Sequence, residues 1–352
     1  YLKELGYATG LIGKWHLGAH RSLHPMERGF HEFYGHLGGG HQYLPELLTI
    51  KDSYAATNEP ESYRTWILKN HSPAKPRKYL TDEFSEEAAS FIKRSRDRPF
   101  FLFLSYNAPH TPLQATSKYL DRFPNIADKK RKTYAAMVSA VDDGVGAVLK
   151  SLREEGLHEK TIVVFLSDNG GPSSKNSSDN SPLKGAKGDV WEGGYRVPFA
   201  IQWPGTIPGG RVFDHPVSAL DIFGTMAALT EAPIAEDRPL DGVNLIPHLR
   251  GENEAPPHQA LYLRKFDQQR YAIRRGDHKL VIPTEGSKAH LYNLAQDIGE
   301  TKDLADKYPG RVKALQTELT TWSGELVNPI FEGLIHLESW KSRKKKANAK
   351  SK

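Results

Sequence analysis

Three continuous apolar runs limit what this chain can fold into: ATGLIG at 8–13, PFFLFLSY at 99–106 and TIVVFL at 161–166. None alternates apolar with polar residues. An uninterrupted apolar strand suits a position covered on both faces, as in a parallel sheet between helices. A fourth run, FAIQW at 199–203, follows the same pattern. Between the runs lie helix-period segments. Residues 81–94 place Phe84, Ala88, Phe91 and Ile92 on one face. Residues 134–155 carry a stripe of Met137, Val138, Val141, Val145, Val148, Leu149 and Leu152, stopped by Gly156. Residues 221–229 predict a further helix, and 1–7 read as a helix end stopped by Gly6. Strands alternating with helices predict an α/β domain with a mixed, largely parallel sheet sandwiched by helices.

The texture changes near residue 250. Short alternating strands are expected at 260–263, 271–274 and 278–282, followed by a helix at about 311–326. We expect a main domain over 1–250, a small α+β subdomain over 251–335 and a basic disordered tail over 336–352. Residues 20–79, rich in Gly, Pro, His and Tyr, read as long loops with short elements that wall a site.

Charge and composition exclude several classes. The net charge is +6, but residues 341–352 hold seven Lys or Arg and no acid; taking those charges away leaves the body at −1. With no interleaved aromatics and no reader fold, the tail is a solvated terminus and no nucleic acid partner is expected. No apolar stretch is long enough to span a membrane. The chain has no cysteine, which removes disulfides, zinc–thiolate sites and a cysteine nucleophile. Phosphate-loop, HExxH and GxSxG patterns are absent.

The three runs each end in a polar loop: Lys14-Trp15-His16, Asn107 to Pro112 and Ser167 to Gly171. Ligands of open α/β sheets bind beyond the carboxyl ends of the strands, so these loops are expected on one rim. If the first strand continues, Lys14 and His16 point to one face, a cation beside a base; the plainer alternative is a strand-end lysine and a packed histidine. His110 sits between prolines in PHTP, which aim its side chain, or it is a structural loop histidine. Asp168 and Asn169 offer oxygens for a hard cation, or simply form a turn. Lys187 lies in a Gly/Lys loop that lets backbone approach an anion, or that is only a flexible surface.

Taken together and in order, the segments resemble the sulfatase family of the alkaline-phosphatase-like superfamily. They are GKWHLG (13–18), HPMERGFHEFYG (24–35), NAPHTP (107–112), SDNGG (167–171), LKGAKGDVWEGGYRVP (183–198), LDGVNLIPHLRGE (240–252), RRGDHKLV (274–281) and LYNLAQDIGETKDLA (291–305). The resemblance implies sulfate-ester hydrolysis by a formylglycine hydrate, with calcium (magnesium is the alternative) on the sulfate oxygens. By motif position, Lys14 corresponds to the lysine that steadies the formylglycine and sulfate, and His16 to the base that helps release sulfate. His110 and Lys187 correspond to sulfate-binding residues, one of which protonates the leaving oxygen. Asp168 and Asn169 correspond to two calcium ligands.

The family's Cys-x-Pro-x-Arg segment and its N-terminal aspartate pair are absent. The expectation is that they are encoded before Tyr1, that a formylglycine-generating or sulfatase-maturing enzyme acts there, and that these 352 residues alone are inactive. A periplasmic or extracellular location follows from the resemblance. So does a sulfated small molecule or carbohydrate as substrate, and His36, His41, Gln42 and Tyr43 suit a polar pocket for it. A phosphatase or phosphodiesterase of the same superfamily and a non-catalytic binder of sulfated glycans are the competing readings.

Overall fold

The computed structural model describes residues 1–48, 65–237 and 239–330. The expected helix end at 1–7 is a single turn. Tyr7 N–H donates to Leu2 O at 3.0 Å and Gly6 N–H to Lys3 O at 3.1 Å, with Gly6 at φ +83°. That is the Schellman closure, which needs a left-handed residue where Gly6 stands.

The chain then runs through β1 (Ala8–Lys14), β2 (Glu32–His36), β3 (Ile67–Lys69), β4 (Ser72–Ala74), α1 (Leu80–Arg94), β5 (Phe100–Ser105), the short α2 (Ser117–Leu120) and α3 (Lys129–Glu154). Next come β6 (Val163–Leu166), α4 (Ser173–Asn176), α5 (Glu192–Tyr195), β7 (Phe199–Gln202), α6 (Leu220–Leu229) and α7 (Ile246–Leu249). The last part holds β8 (Leu261–Lys265), β9 (Arg270–Arg275), β10 (His278–Ile282), β11 (His290–Asn293) and α8 (Pro309–Glu325).

The main sheet has the order β4-β3-β2-β1-β5. β1 pairs in parallel with both β2 and β5, while β2–β3 and β3–β4 are antiparallel. It is the mixed sheet the apolar runs predict, with α1 packed across β1 and β5. Ala8, Ile12 and Tyr34 meet Leu80, Phe84, Ala88 and Phe91 in one core cluster. Gly10 lies directly under the Phe91 ring: a Cβ there would sit 2.5 Å from it. β2, of five residues, is one of the short elements expected within 20–79. Its burial in the sheet comes from Phe33 and Tyr34 packing on opposite faces.

Two elements differ from expectation. The third apolar run does not hydrogen-bond to the main sheet among the described residues; β6 pairs antiparallel with β7 in a two-stranded ribbon. Among the same residues β5 is an edge strand, so its run is only half covered: Phe103 is 44% exposed, and Phe165 of β6 is 43% exposed. The apolar stripe of α3 is only part of its buried face: Met137 and Leu152 are buried together with the small residues Ala136, Ala140, Gly144 and Ser151, while Val141, Val145, Val148 and Leu149 are half-buried and Val138 is exposed. A Cβ on Gly144 would come within 2.4 Å of Ser85 Oγ and 2.3 Å of Tyr106 Oη, so α1 and α3 touch closely there.

The C-terminal strands form an antiparallel sheet in the order β11-β10-β9-β8. α8 covers one face, with Leu315 and Leu319 against Ile273, Leu280 and Leu291. The other face meets Val190 and Trp191 through Ala272, Val281 and Tyr292. β11 was not foreseen, since LYNL offers only four residues of pattern. The basic tail lies outside the described residues, as does 49–64 of the predicted wall segment.

Candidate functional site

β1 and β5 are parallel and adjacent, so their carboxyl ends open on one rim. β1 delivers Lys14 there, level with His36 across the β1–β2 pairing. The strand does not continue to His16. Trp15 N–H donates to His36 O at 3.0 Å and His16 N–H to Leu37 O at 3.2 Å, and then His16 turns left-handed at φ +59°. Strand alternation therefore does not place His16. Its ring is placed by the turn and by Gly39, where an added Cβ would lie 2.5 Å from Nε2. A non-glycine residue in this conformation costs about 1–2 kcal/mol, and such outliers gather at functional sites.

β5 delivers the Asn107–Pro112 loop. Tyr43 Oη lies 2.7 Å from Asn107 O and 2.8 Å from His110 O, and His110 N–H donates to Asn107 O at 2.9 Å. The peptide bonds Ala108–Pro109 and Thr111–Pro112, on either side of His110, are both cis. Nδ1 of His110 is 2.7 Å from Thr111 O, which makes Nδ1 the protonated nitrogen and leaves the ring's lone pair on Nε2.

β6 delivers the third loop, and α5 braces it. Gly170 N–H donates to Gly194 O at 3.0 Å, and a Cβ on Gly170 would lie 1.8 Å from Gly193 O. Only glycine allows that approach. Lys187 N–H reaches Gly171 O at 3.5 Å, so the Asp168 and Lys187 loops lie side by side.

Electrostatics tie the three loops into one site. Burial lowers the pKa of Lys14; Asp168 opposes this, and Lys187 adds to it. His16 is lowered by burial first, then by Lys14, Lys187 and His110, against Asp168. Burial also lowers His110, opposed by its hydrogen bond to Thr111 O and reinforced by Lys14 and Lys187. Lys187 and Asp168 thus act on Lys14, His16 and His110 alike. Burial first, and the cations second, favour the neutral form of both imidazoles, and the cations favour an anion between them.

Among the described residues the exposed Asp168 carboxylate receives no hydrogen bond and Asn169 Oδ1 has none either, while Asn169 Nδ2 donates to Gly170 O at 3.1 Å. Two hard oxygen donors side by side fit part of the shell of roughly six to eight oxygens that calcium takes. Among the described residues no group of three or more His, Cys, Asp or Glu is placed to hold a metal.

Several assignments change. His36, His41 and Tyr43 are fully buried and line no open pocket. His41 is enclosed by the carbonyls of Gln42 and Thr65, at 3.1 and 2.8 Å, and Tyr43 props the His110 loop. Asn107 was missed as an individual residue: it is buried, with neither Oδ1 nor Nδ2 hydrogen-bonded. Its place at the end of β5 was the available signal. A cavity of about 800 Å³ between residues 214–216, 256–261, the β9–β10 turn and α8 includes none of the six predicted site residues. The convergent charges, not cavity size, mark the site.

The chain is similar to known sulfatases. The chain is 27% identical to an uncharacterised sulfatase, YdeN, of Escherichia coli (strain K12), over 98% of this chain and 70% of that protein. It is 31% identical to N-acetylgalactosamine-6-sulfatase of Canis lupus familiaris, over 88% of this chain but only 57% of the relative. It therefore spans little more than half of that enzyme. Among solved structures, Ps i-CgsB in complex with k-i-k-neocarrahexaose matches at a TM-score of 0.87 and 36% identity, over 99% of this chain and 79% of that one. The Sulfatase family model matches residues 1–232, the stretch that holds β1, β5, β6 and all three rim loops, and on that match the chain belongs to the sulfatase family.

Proposed function

We propose that the protein hydrolyses a sulfate ester on a sulfated carbohydrate. One observation carries this reading: Lys14, Lys187, His16, His110 and Asp168 share one electrostatic site at the carboxyl ends of the sheet. Two lysines flanked by neutral imidazoles suit a group that arrives anionic and leaves with a proton.

The roles are those that the sulfatase resemblance implies, and the convergence of the residues on one rim supports them. Lys14 and Lys187 hold the sulfate and stabilise the charge that builds on its oxygens. His110, with Nδ1 committed to Thr111 O, exchanges a proton through Nε2 with the leaving oxygen. His16, held neutral, accepts a proton when sulfate is released. Asp168 and Asn169 would hold calcium, or magnesium in its place, which as a Lewis acid draws charge from the sulfate oxygens. The nucleophile, a formylglycine hydrate, is not one of these 352 residues. The reading needs it from the full protein, together with the enzyme that matures it. Carbohydrate is favoured over a small aryl sulfate by the two relatives whose printed names carry sugars. A periplasmic or extracellular location is part of the proposal; among the described residues no helix is long and apolar enough to cross a membrane.

The test is sulfate release from sulfated oligosaccharides by the full, matured protein, with calcium or zinc supplied after chelation. Calcium-restored sulfate release supports the reading. Phosphate release restored by zinc would move the protein to the phosphatase side of the superfamily. Tight glycan binding without turnover would make it a binder.

A further inference from the structure

Behind the rim loops lies a group of charges that the proposed reaction does not use. Lys279 on β10, Glu192 on α5 and Glu300 after β11 are all 0% exposed. Nζ of Lys279 lies 3.0 Å from Glu192 Oε1 and 2.7 Å from Glu300 Oε1, the second contact an ion pair without hydrogen-bond alignment. Glu300, left-handed at φ +54°, turns its other oxygen to the Glu192 backbone and accepts that N–H at 2.8 Å. The Tyr195 hydroxyl donates to Glu192, and the Lys279 cation sits 4.8 Å from the Tyr195 ring centre. Lys184 Nζ donates to Glu300 O at 3.3 Å while lying 3.8 Å over the Trp191 ring.

The group is one step from the site. Glu192 begins α5, whose Gly193 N–H donates to Lys184 O at 2.7 Å and whose Gly194 O takes the Gly170 N–H. The backbones touch so closely that a Cβ on Gly193 would lie 2.6 Å from Gly185 O, and one on Gly194 would lie 2.2 Å from Asp189 O. With no side chains between them to absorb a shift, displacement of α5 passes directly to Gly170, Asp168 and the Lys187 loop.

Energy does not explain why ions hold this junction. Removing such charges from water costs several kcal/mol per ion, and apolar residues of similar volume often stabilise as well or better. What hydrogen-bonded charges add is a single allowed arrangement, whereas apolar side chains tolerate sliding.

We infer that Glu192, Lys279 and Glu300 are positioning residues: they lock α5 to the C-terminal sheet and so fix Asp168 and Lys187 at the rim. The C-terminal sheet is then part of the functional site. The consequence for cation and anion binding rests on the proposed sulfatase function; the clamp itself does not.

Two variants of the full protein test it. Glu300→Gln removes one charge. The triple variant Glu192→Gln, Lys279→Met, Glu300→Gln removes all three with little change in volume. Hydrogen exchange is read amide by amide. The expected result is at least tenfold faster exchange at Gly170 and Lys187, with β1 and α1 amides unchanged, and calcium affinity about tenfold weaker by titration calorimetry, as for loss of a supporting shell. Exchange that rises equally everywhere, or not at all, in the variant that remains folded would overturn the inference. If the wild type binds no calcium and releases no sulfate, the proposed function fails, while local exchange at Gly170 still decides the clamp.

Discussion

His16 joins two demands that usually conflict. Its backbone is left-handed, which suits Asn or Gly better, yet its imidazole sits where the proposed reaction needs a base. His16→Asn keeps a residue that tolerates this conformation. Its thermal midpoint is expected to stay within about 0.5 kcal/mol of wild type in stability, while sulfate release falls roughly 100- to 10,000-fold. Equal losses of stability and turnover would mean that His16 is structural. His36 makes a pH prediction. Burial, then His41 and Lys14, hold its pKa well below the usual 6.5. The unfolded chain therefore takes up a proton near 6.5 while the folded chain does not. The stability that neutral His36 contributes is complete above 6.5 and is lost as pH falls below it. A melting series from about pH 7.5 to 5 should decline, and His36→Asn, whose amide can replace Nδ1–H on Gly38 O, should flatten part of the decline. The chemistry-bearing residue types were legible because strand ends and Gly/Pro loops are local signals. The way His16 is aimed was not, since it depends on Leu37 and Gly39, more than twenty residues away.

For the elements, α3 shows why a periodic pattern names a helix but not its buried side. Met137 and Leu152 of the sequence stripe are buried, but so is the small-residue line Ala136, Ala140, Gly144, Ser151, and at Gly144 it lets α3 come close to α1. Gly144→Ala is expected to cost about 1–3 kcal/mol, because its methyl would push on Ser85 and Tyr106 and break their 2.7 Å hydrogen bond. Val138→Ser on the open face should stay within about 0.5 kcal/mol. Chemical denaturation of both variants separates the two faces; the reverse order would sink the assignment. The start of α3 was missed by one turn for a similar reason. The run KKRKT has no apolar residue, and only the Asp128 side chain accepting Arg131 N–H at 2.6 Å marks the cap.

Across the whole molecule, the alternation of strands and helices was legible, and so was the change of texture near residue 250. The pairing partners were not. TIVVFL reads like an inner parallel strand, but it lies in an antiparallel ribbon with FAIQ, because pairing depends on which strands are near in space rather than on the apolar run itself. At this scale the proposed cation predicts that chelation lowers the thermal midpoint and that added calcium restores it in proportion to the logarithm of its concentration. A midpoint indifferent to both would argue against a cation at Asp168 and Asn169. The open side of β5 has a practical consequence. Its outer row of N–H and C=O groups, unpaired among the described residues, with Phe103 beside it and Phe165 bare on β6, is a template on which a second chain can lay a strand. These 352 residues produced alone should self-associate with rising concentration, visibly by light scattering. Phe103→Lys should suppress that aggregation without touching any residue of the rim.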